Sequence, residues 1–294
     1  MFLMAASRLV FGVSQFGIRV LPAAAHALTV ILAGLICRRL GGRKTAIILA
    51  CLSASLAPIL IGHAGIFHMH AVAVTMWGLA AYVVVLIVER SRPALWILLG
   101  VVMGLGLLNK MDFLWFGVGL AAGLLLTDMR KHLKTPWPYA AVGIALLLFS
   151  PFIIWNAAHG WAHLEFIRNA TAGKYSGLTR INFLTDQVIL LSPLNIFLWV
   201  PGLLFLLFGR EGRRFRVLAI IYLTALAILL TNAHSKSEYL APAYTMLLAA
   251  GGVSVQGWSG RGRRRGAGRC GRRGDGRPWR RGTGRPGGRG DGRL

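Results

Sequence analysis

Acidic residues are what this chain has least of. Asp and Glu together number 9 in 294 residues against 33 Lys and Arg, and none of the nine precedes Glu89. Charged residues of either sign make up only 14% of the chain while 55% are hydrophobic, far more than a soluble core of this length requires. Cysteine is scarce too. Cys37, Cys51 and Cys270 have neither pairing nor ligand spacing, which argues against a disulfide framework or a cysteine zinc site; two of them lie in or beside apolar runs, as small core residues do. Met1 to Arg19 lacks the charged, apolar and small-residue sequence of a cleavable signal and reads as an amphipathic lead-in at a membrane surface. The apolar residues come in runs, with no period of two or 3.6, so the fold class expected is an all-α polytopic membrane protein.

A spanning helix needs about 20 apolar residues. Nine runs approach that length: Val20 to Ile36, Thr45 to Gly62, Ile66 to Val88, Leu95 to Leu108, Phe113 to Leu126, Tyr139 to Ile154, Val188 to Phe208, Val217 to Thr231 and Leu240 to Val255. If the first runs from outside to inside, the inside turns before the C-terminal tail hold 13 Lys and Arg and the outside turns with the lead-in hold 7. That asymmetry predicts the orientation. It puts the long polar stretch from Trp155 to Gln187 outside and the tail in the cytoplasm, as expected for a multi-pass protein of a bacterial inner membrane.

The outside turns also gather most of the reactive side chains: His63, His68 and His70; Asn109, Lys110 and Asp112; His159, His163, Glu165 and Arg168; and His234, Lys236, Glu238 and Tyr239. An ionisable residue held near a membrane boundary is a functional candidate. Several Lys or Arg beside one lipid-facing pocket suit a phosphate, Lys as a movable point charge and Arg as a fork.

Three segments carry a family resemblance: GLGLLNKMDFLWFGVGLAAGLLLTD (Gly104 to Asp128), FIIWNAAHGWAHLEFIRNA (Phe152 to Ala170) and KSEYLAPAYTMLLAAGG (Lys236 to Gly252). They resemble the polytopic glycosyltransferases of the dolichyl-phosphate-mannose protein mannosyltransferase type, whose bacterial relatives include the lipid A aminoarabinose transferases. The resemblance runs from about Ser7 to Val255 and implies a C-type glycosyltransferase body with an external active site. The implied donor is a polyprenyl-phosphate sugar and the acceptor a lipid, glycan or protein. It also implies donor-phosphate contacts from Lys110, Lys236 and Arg19, with Tyr239 donating a hydrogen bond to the same phosphate. The catalytic carboxylate of the family belongs to a first external loop that would precede Met1. The third span departs as well, reading FHMHAVAVTMW with His70 and Ala73 where relatives carry Asn and an acid. Asp112, Glu165 and Glu238 are therefore substitute candidates for catalysis, none at the position of the family base.

Plainer readings stand beside these. Lys110 and Lys236 also suit interfacial anchors that snorkel to headgroups. His63, His68 and His70 form a loose H-x4-H-x-H, which suits helix caps more than a divalent metal, so no cofactor is expected. Glu165 and Arg168, three apart, suit an ion pair on a short surface helix. From Ser259 the tail holds 13 Gly and 13 Arg in 36 residues with 2 Asp; such a segment buries no core and is expected to be disordered. It reads either as a basic arm for anionic lipid headgroups or RNA, or as sequence outside the original reading frame, and nucleic acid is not the expected partner. The domains expected are a lead-in over 1–19, a transmembrane glycosyltransferase-like body over 20–256 with the external loop 155–187 roofing the donor site, and the tail over 257–294. The competing function is a non-catalytic membrane fragment that keeps a lipid-phosphate groove. A transporter finds less support, since no paired repeats occur and no span contains an acid.

Overall fold

The computed structural model describes residues 2–172, 179–231 and 235–270. Thirteen α-helices follow in chain order: α1 (Phe2–Phe11), α2 (Gln15–Arg39), α3 (Lys44–Leu56), α4 (Pro58–Gly65), α5 (Met69–Arg90), α6 (Pro93–Asn109), α7 (Phe113–Leu126), α8 (Trp137–Ala158), α9 (Ala162–Ala172), α10 (Arg180–Leu191), α11 (Ile196–Phe208), α12 (Arg216–Thr231) and α13 (Tyr244–Cys270). Tight 3-10 turns over Asp128–Lys134 and Ser237–Ala243 join α7 to α8 and lead into α13. No strand occurs among the described residues.

All nine apolar runs form helices, but fewer are continuous spans. Four helical stretches are long and apolar enough to cross a membrane, rising to seven if each of three bent pairs counts as one span. The bends have local causes. Pro58 opens α4 and turns it 56° from α3, while Ser192, at φ 79°, and Pro193 turn the next segment 93° from α10. Buried Asn195 bridges the second break, donating to the carbonyls of Leu191 (2.7 Å) and Ser53 (3.3 Å) that would otherwise be left without water.

Lipid is as apolar as leucine, so close packing of small residues has to hold such helices together. Ala33, Ala46, Ala50, Ala54, Ala73, Ala80 and Ala81 are fully buried. Between α2 and α5, Thr29 Oγ1 and Thr75 Oγ1 lie 2.9 Å apart, and Thr75 donates 2.7 Å to the Ala25 carbonyl. Trp77 of α5 packs edge-on to Phe113 and Phe116 of α7, with centroids 6.0 and 5.1 Å away.

The polar stretch expected as one loop over 155–187 is largely helical. It contains the end of α8, the exposed α9 and most of α10, while residues 173–178, with Lys174, lie outside the described residues. The chain divides by contact into units Met1–Gly257 and Trp258–Leu294. Helix α13 continues to Cys270, into the stretch expected to be disordered; residues 271–294 lie outside the described set, as does His234.

Candidate functional site

The site begins with three short connections. At the first, His68 caps α5, its Nδ1 accepting from the His70 N–H at 3.1 Å. At the second, α6 stops at Asn109, and Phe113 turns back so closely on Gly106 that an added Cβ there would lie 2.6 Å from its ring. Lys110 and Asp112 are held inside that tight turn, and Asn109 Nδ2 ties it to α5 through the Met69 carbonyl at 2.9 Å. The third is the Ser237–Ala243 turn, which presents Lys236, Glu238 and Tyr239.

These connections converge. Lys110 Nζ lies 3.0 Å from His70 Nδ1, 3.2 Å from Asp112 Oδ2 and 4.6 Å from the centre of the Tyr239 ring. Lys236 Nζ is 3.2 Å from Glu238 Oε1, which is in turn 3.9 Å from His70 Nε2. The His70 ring stacks on Tyr239 at 5.8 Å and on His63 at 5.0 Å, and His63 Nδ1 lies 3.4 Å from His68 Nε2. Trp115 closes the aromatic wall at 6.1 Å from Tyr239.

Burial sets the electrostatics. The Asp112 side chain is 1% exposed and that of Lys110 11%. Burial raises the Asp112 pKa, against the pull of the Lys110 ammonium, the Trp77 indole and the Phe113 amide. Burial likewise lowers the Lys110 pKa, with Asp112 acting most strongly against it. Neither Asp112 oxygen has a hydrogen bond of good geometry among the described residues, so the 3.2 Å contact is an ion pair with capacity to spare. Burial lowers the His68 pKa, against the attraction of Glu238, keeping that ring a neutral cap.

Most of the sequence candidates meet here: Lys110, Lys236, Tyr239, Asp112, Glu238, His63, His68 and His70. Two do not. Arg19 is exposed on the first turns of α2 and makes no hydrogen bond or ion pair among the described residues. Glu165 is exposed on α9, where the expected pair with Arg168 does not form; both side chains reach water and gain little by pairing. The three histidines cluster, yet no group of three or more His, Cys, Asp or Glu among the described residues has a geometry that could hold a metal ion. The Lys110 ammonium against His70 Nδ1 works against a second cation.

A further set of residues was invisible to sequence reasoning. Gln187 of α10 donates to the Ser237 carbonyl at 3.1 Å and accepts from the Tyr244 hydroxyl at 3.1 Å, while Ser237 donates 2.7 Å to Asp186 Oδ2. These bonds anchor the turn that carries Lys236 and Glu238 across about 50 residues of chain. Separation of that length leaves no local signal.

The structure is thus a helical membrane body with Lys110 and Lys236 drawn into one cluster. The model of the dolichyl-phosphate-mannose-protein mannosyltransferase family matches residues 1–155, more than half of the chain, and the chain belongs to that family. Among solved structures it is similar to ArnT from Cupriavidus metallidurans bound to undecaprenyl phosphate, with a TM-score of 0.70 and 17% identity, covering 87% of this chain and 49% of that one. It is also similar to the same protein in the apo state, with a TM-score of 0.66 and 16% identity over 88% of this chain and 50% of that one. The chain thus spans about half the length of the structures it matches. No curated protein matches it by sequence.

Proposed function

We propose that the Lys110–Lys236–Tyr239 cluster holds the phosphate of a polyprenyl-phosphate sugar, and that the chain serves transfer of that sugar to a lipid, glycan or protein acceptor on the outer face of a bacterial inner membrane. One observation carries the reading: two lysines from connections 126 positions apart in the sequence meet at one His70–Glu238–Tyr239 centre at one end of the helices. The bound lipid of the ArnT structure supports the same ligand class. Two ammonium groups and a phenol suit the single charge of the donor's phosphodiester and the second charge that the leaving polyprenyl phosphate gains.

In the transfer, the bond between the anomeric carbon and the phosphate oxygen breaks and the electron pair leaves with polyprenyl phosphate. The acceptor oxygen bonds to the anomeric carbon and its proton passes to a carboxylate. Lys110 and Lys236 stabilise the charge growing on the leaving phosphate. Glu238, one third exposed beside Lys236, is better placed than buried Asp112 to take that proton. Arg19 and Glu165 are exposed and make no hydrogen bond or ion pair with the cluster, so the reading does not rest on them.

A second reading is binding without catalysis, favoured by the engagement of both local carboxylates with lysines. One experiment addresses both readings. Purified chain is titrated with undecaprenyl phosphate and assayed for transfer from a labelled polyprenyl-phosphate sugar. Saturable binding that Lys110→Ala or Lys236→Ala weakens supports the phosphate site, and product supports the transferase. Binding indifferent to both substitutions would sink the assignment.

A further inference from the structure

The connection over Asp128–Lys134 lies at the other end of α6 and α7 from Lys110, and a groove opens beside it. The groove arises from how consecutive helices choose partners. On α6, an added Cβ at Gly100 would lie 2.6 Å from the Ala141 carbonyl and at Gly104 2.8 Å from Leu148, so α6 packs tightly on α8. On α7, Gly119 and Gly123 make the same kind of approach to Ile221 and Val217 of α12. Helices α7 and α8 flank one short connection but are drawn to different neighbours. A cavity of about 380 Å3 remains between them, with α6 as its floor and almost wholly apolar walls that include Leu99, Met103, Leu120, Ala121 and Val142.

The charge at its mouth is mainly positive, three cations against the exposed Asp128. Arg130, Lys131 and Lys134 are exposed on the connection, whose Leu133 lines the cavity. At the same end, Trp96 lines the cavity, tilts against His132 at 5.6 Å and is 2% exposed, yet its indole N–H has no hydrogen-bond partner among the described residues. A buried donor without an acceptor costs about 1–3 kcal/mol, but this nitrogen is closed off from the cavity, which the indole lines with its carbon face. At roughly 30 Å3 per water-sized group, the cavity takes about a dozen methylenes, the scale of one acyl chain.

We propose that this groove is a binding site for an anionic glycerophospholipid. One acyl chain lies between α7 and α8, and the headgroup phosphate sits against Arg130, Lys131 and Lys134. The site is separate from the Lys110–Lys236 cluster and does not depend on the donor-phosphate reading.

Native mass spectrometry of the full chain, exposed in detergent to equimolar phosphatidylglycerol and phosphatidylcholine, tests it. The expected result is preferential retention of phosphatidylglycerol, lost by at least about tenfold in R130Q/K131Q/K134Q, since each cation near an anionic lipid contributes about 1 kcal/mol. R210Q/R213Q, removing two charges from another turn, should leave the preference intact. Ala121→Phe, filling the groove, should lower retention of phosphatidylglycerol with every charge in place. Ala121→Leu replaces Ala121→Phe if the larger side chain lowers the melting temperature. A preference that survives the triple change, falls equally in R210Q/R213Q, or ignores groove filling overturns the site. So does displacement of phosphatidylglycerol by undecaprenyl phosphate, one for one, since the groove would then belong to the donor chain.

Discussion

Lys110 Nζ and Asp112 Oδ2 face each other at 3.2 Å inside a three-residue connection, both side chains buried. A buried pair of this kind adds little net stability, but removing one partner strands the other. Lys110→Ala should therefore destabilise the chain by about 3–5 kcal/mol, and K110A/D112A by distinctly less than the sum of the single changes. Thermal unfolding of the four proteins in detergent checks this. Additive losses would show that the two groups do not interact.

The same pair gives a pH dependence. Asp112 is the strongest influence holding Lys110 charged against burial. With Asp112→Asn, the folded-state pKa of Lys110 falls further. A phosphate site that needs the ammonium form then loses undecaprenyl phosphate at lower pH than the wild type does. The alkaline limb of the binding curve should move to lower pH, and an unchanged limb would remove Lys110 from the site. Stability carries the opposite sign. A lysine with a lowered folded pKa releases its proton in the folded state first, so its burial penalty is relieved as pH rises from that folded value towards 10.5.

Glu238 competes for Lys236 at 3.2 Å and for His70 at 3.9 Å. Glu238→Gln should tighten undecaprenyl phosphate by removing the competing anion while lowering any transfer, whereas Lys236→Ala should weaken binding by about tenfold, or 1.4 kcal/mol. Calorimetry on the two variants separates a binding role from a catalytic one. If both substitutions weaken binding equally, Glu238 is a structural partner of Lys236.

Helix contact supplies a stability test with an internal control. A Cβ at Gly251 would sit 2.2 Å from the Leu198 carbonyl, and at Gly62 would meet nothing within 4 Å. Gly251→Ala should cost about 1–3 kcal/mol by overpacking. Gly62→Ala, inside α4, should be neutral or stabilise by up to about 1 kcal/mol. Equal melting temperatures for the two would contradict the α11–α13 approach.

Much of the fold was legible because lipid imposes one rule on every span, and length and apolarity record it. The breaks were less legible: Pro58 was visible, but the 93° turn needed the positive φ of Ser192 and the carbonyls that Asn195 satisfies. At the site, Lys110, Asp112, Lys236, Glu238 and Tyr239 stood out as polar residues at the ends of apolar runs. Arg19 and Glu165 shared that appearance, yet neither bonds to the cluster, since position at a span end says nothing of which neighbour a side chain meets.

Composition and apolar run length alone determined that this is an all-helical membrane chain with cations at its turns, because the energy of placing charge in lipid depends only on residue type and depth. Partner choice was decided by tertiary structure. Which glycines meet which helices, that Gln187 braces Ser237, that Lys110 meets His70, and that α7 and α8 part to leave a groove all depend on contacts between residues distant in sequence. Packing is selected by shape across the whole bundle, and no local pattern encodes it.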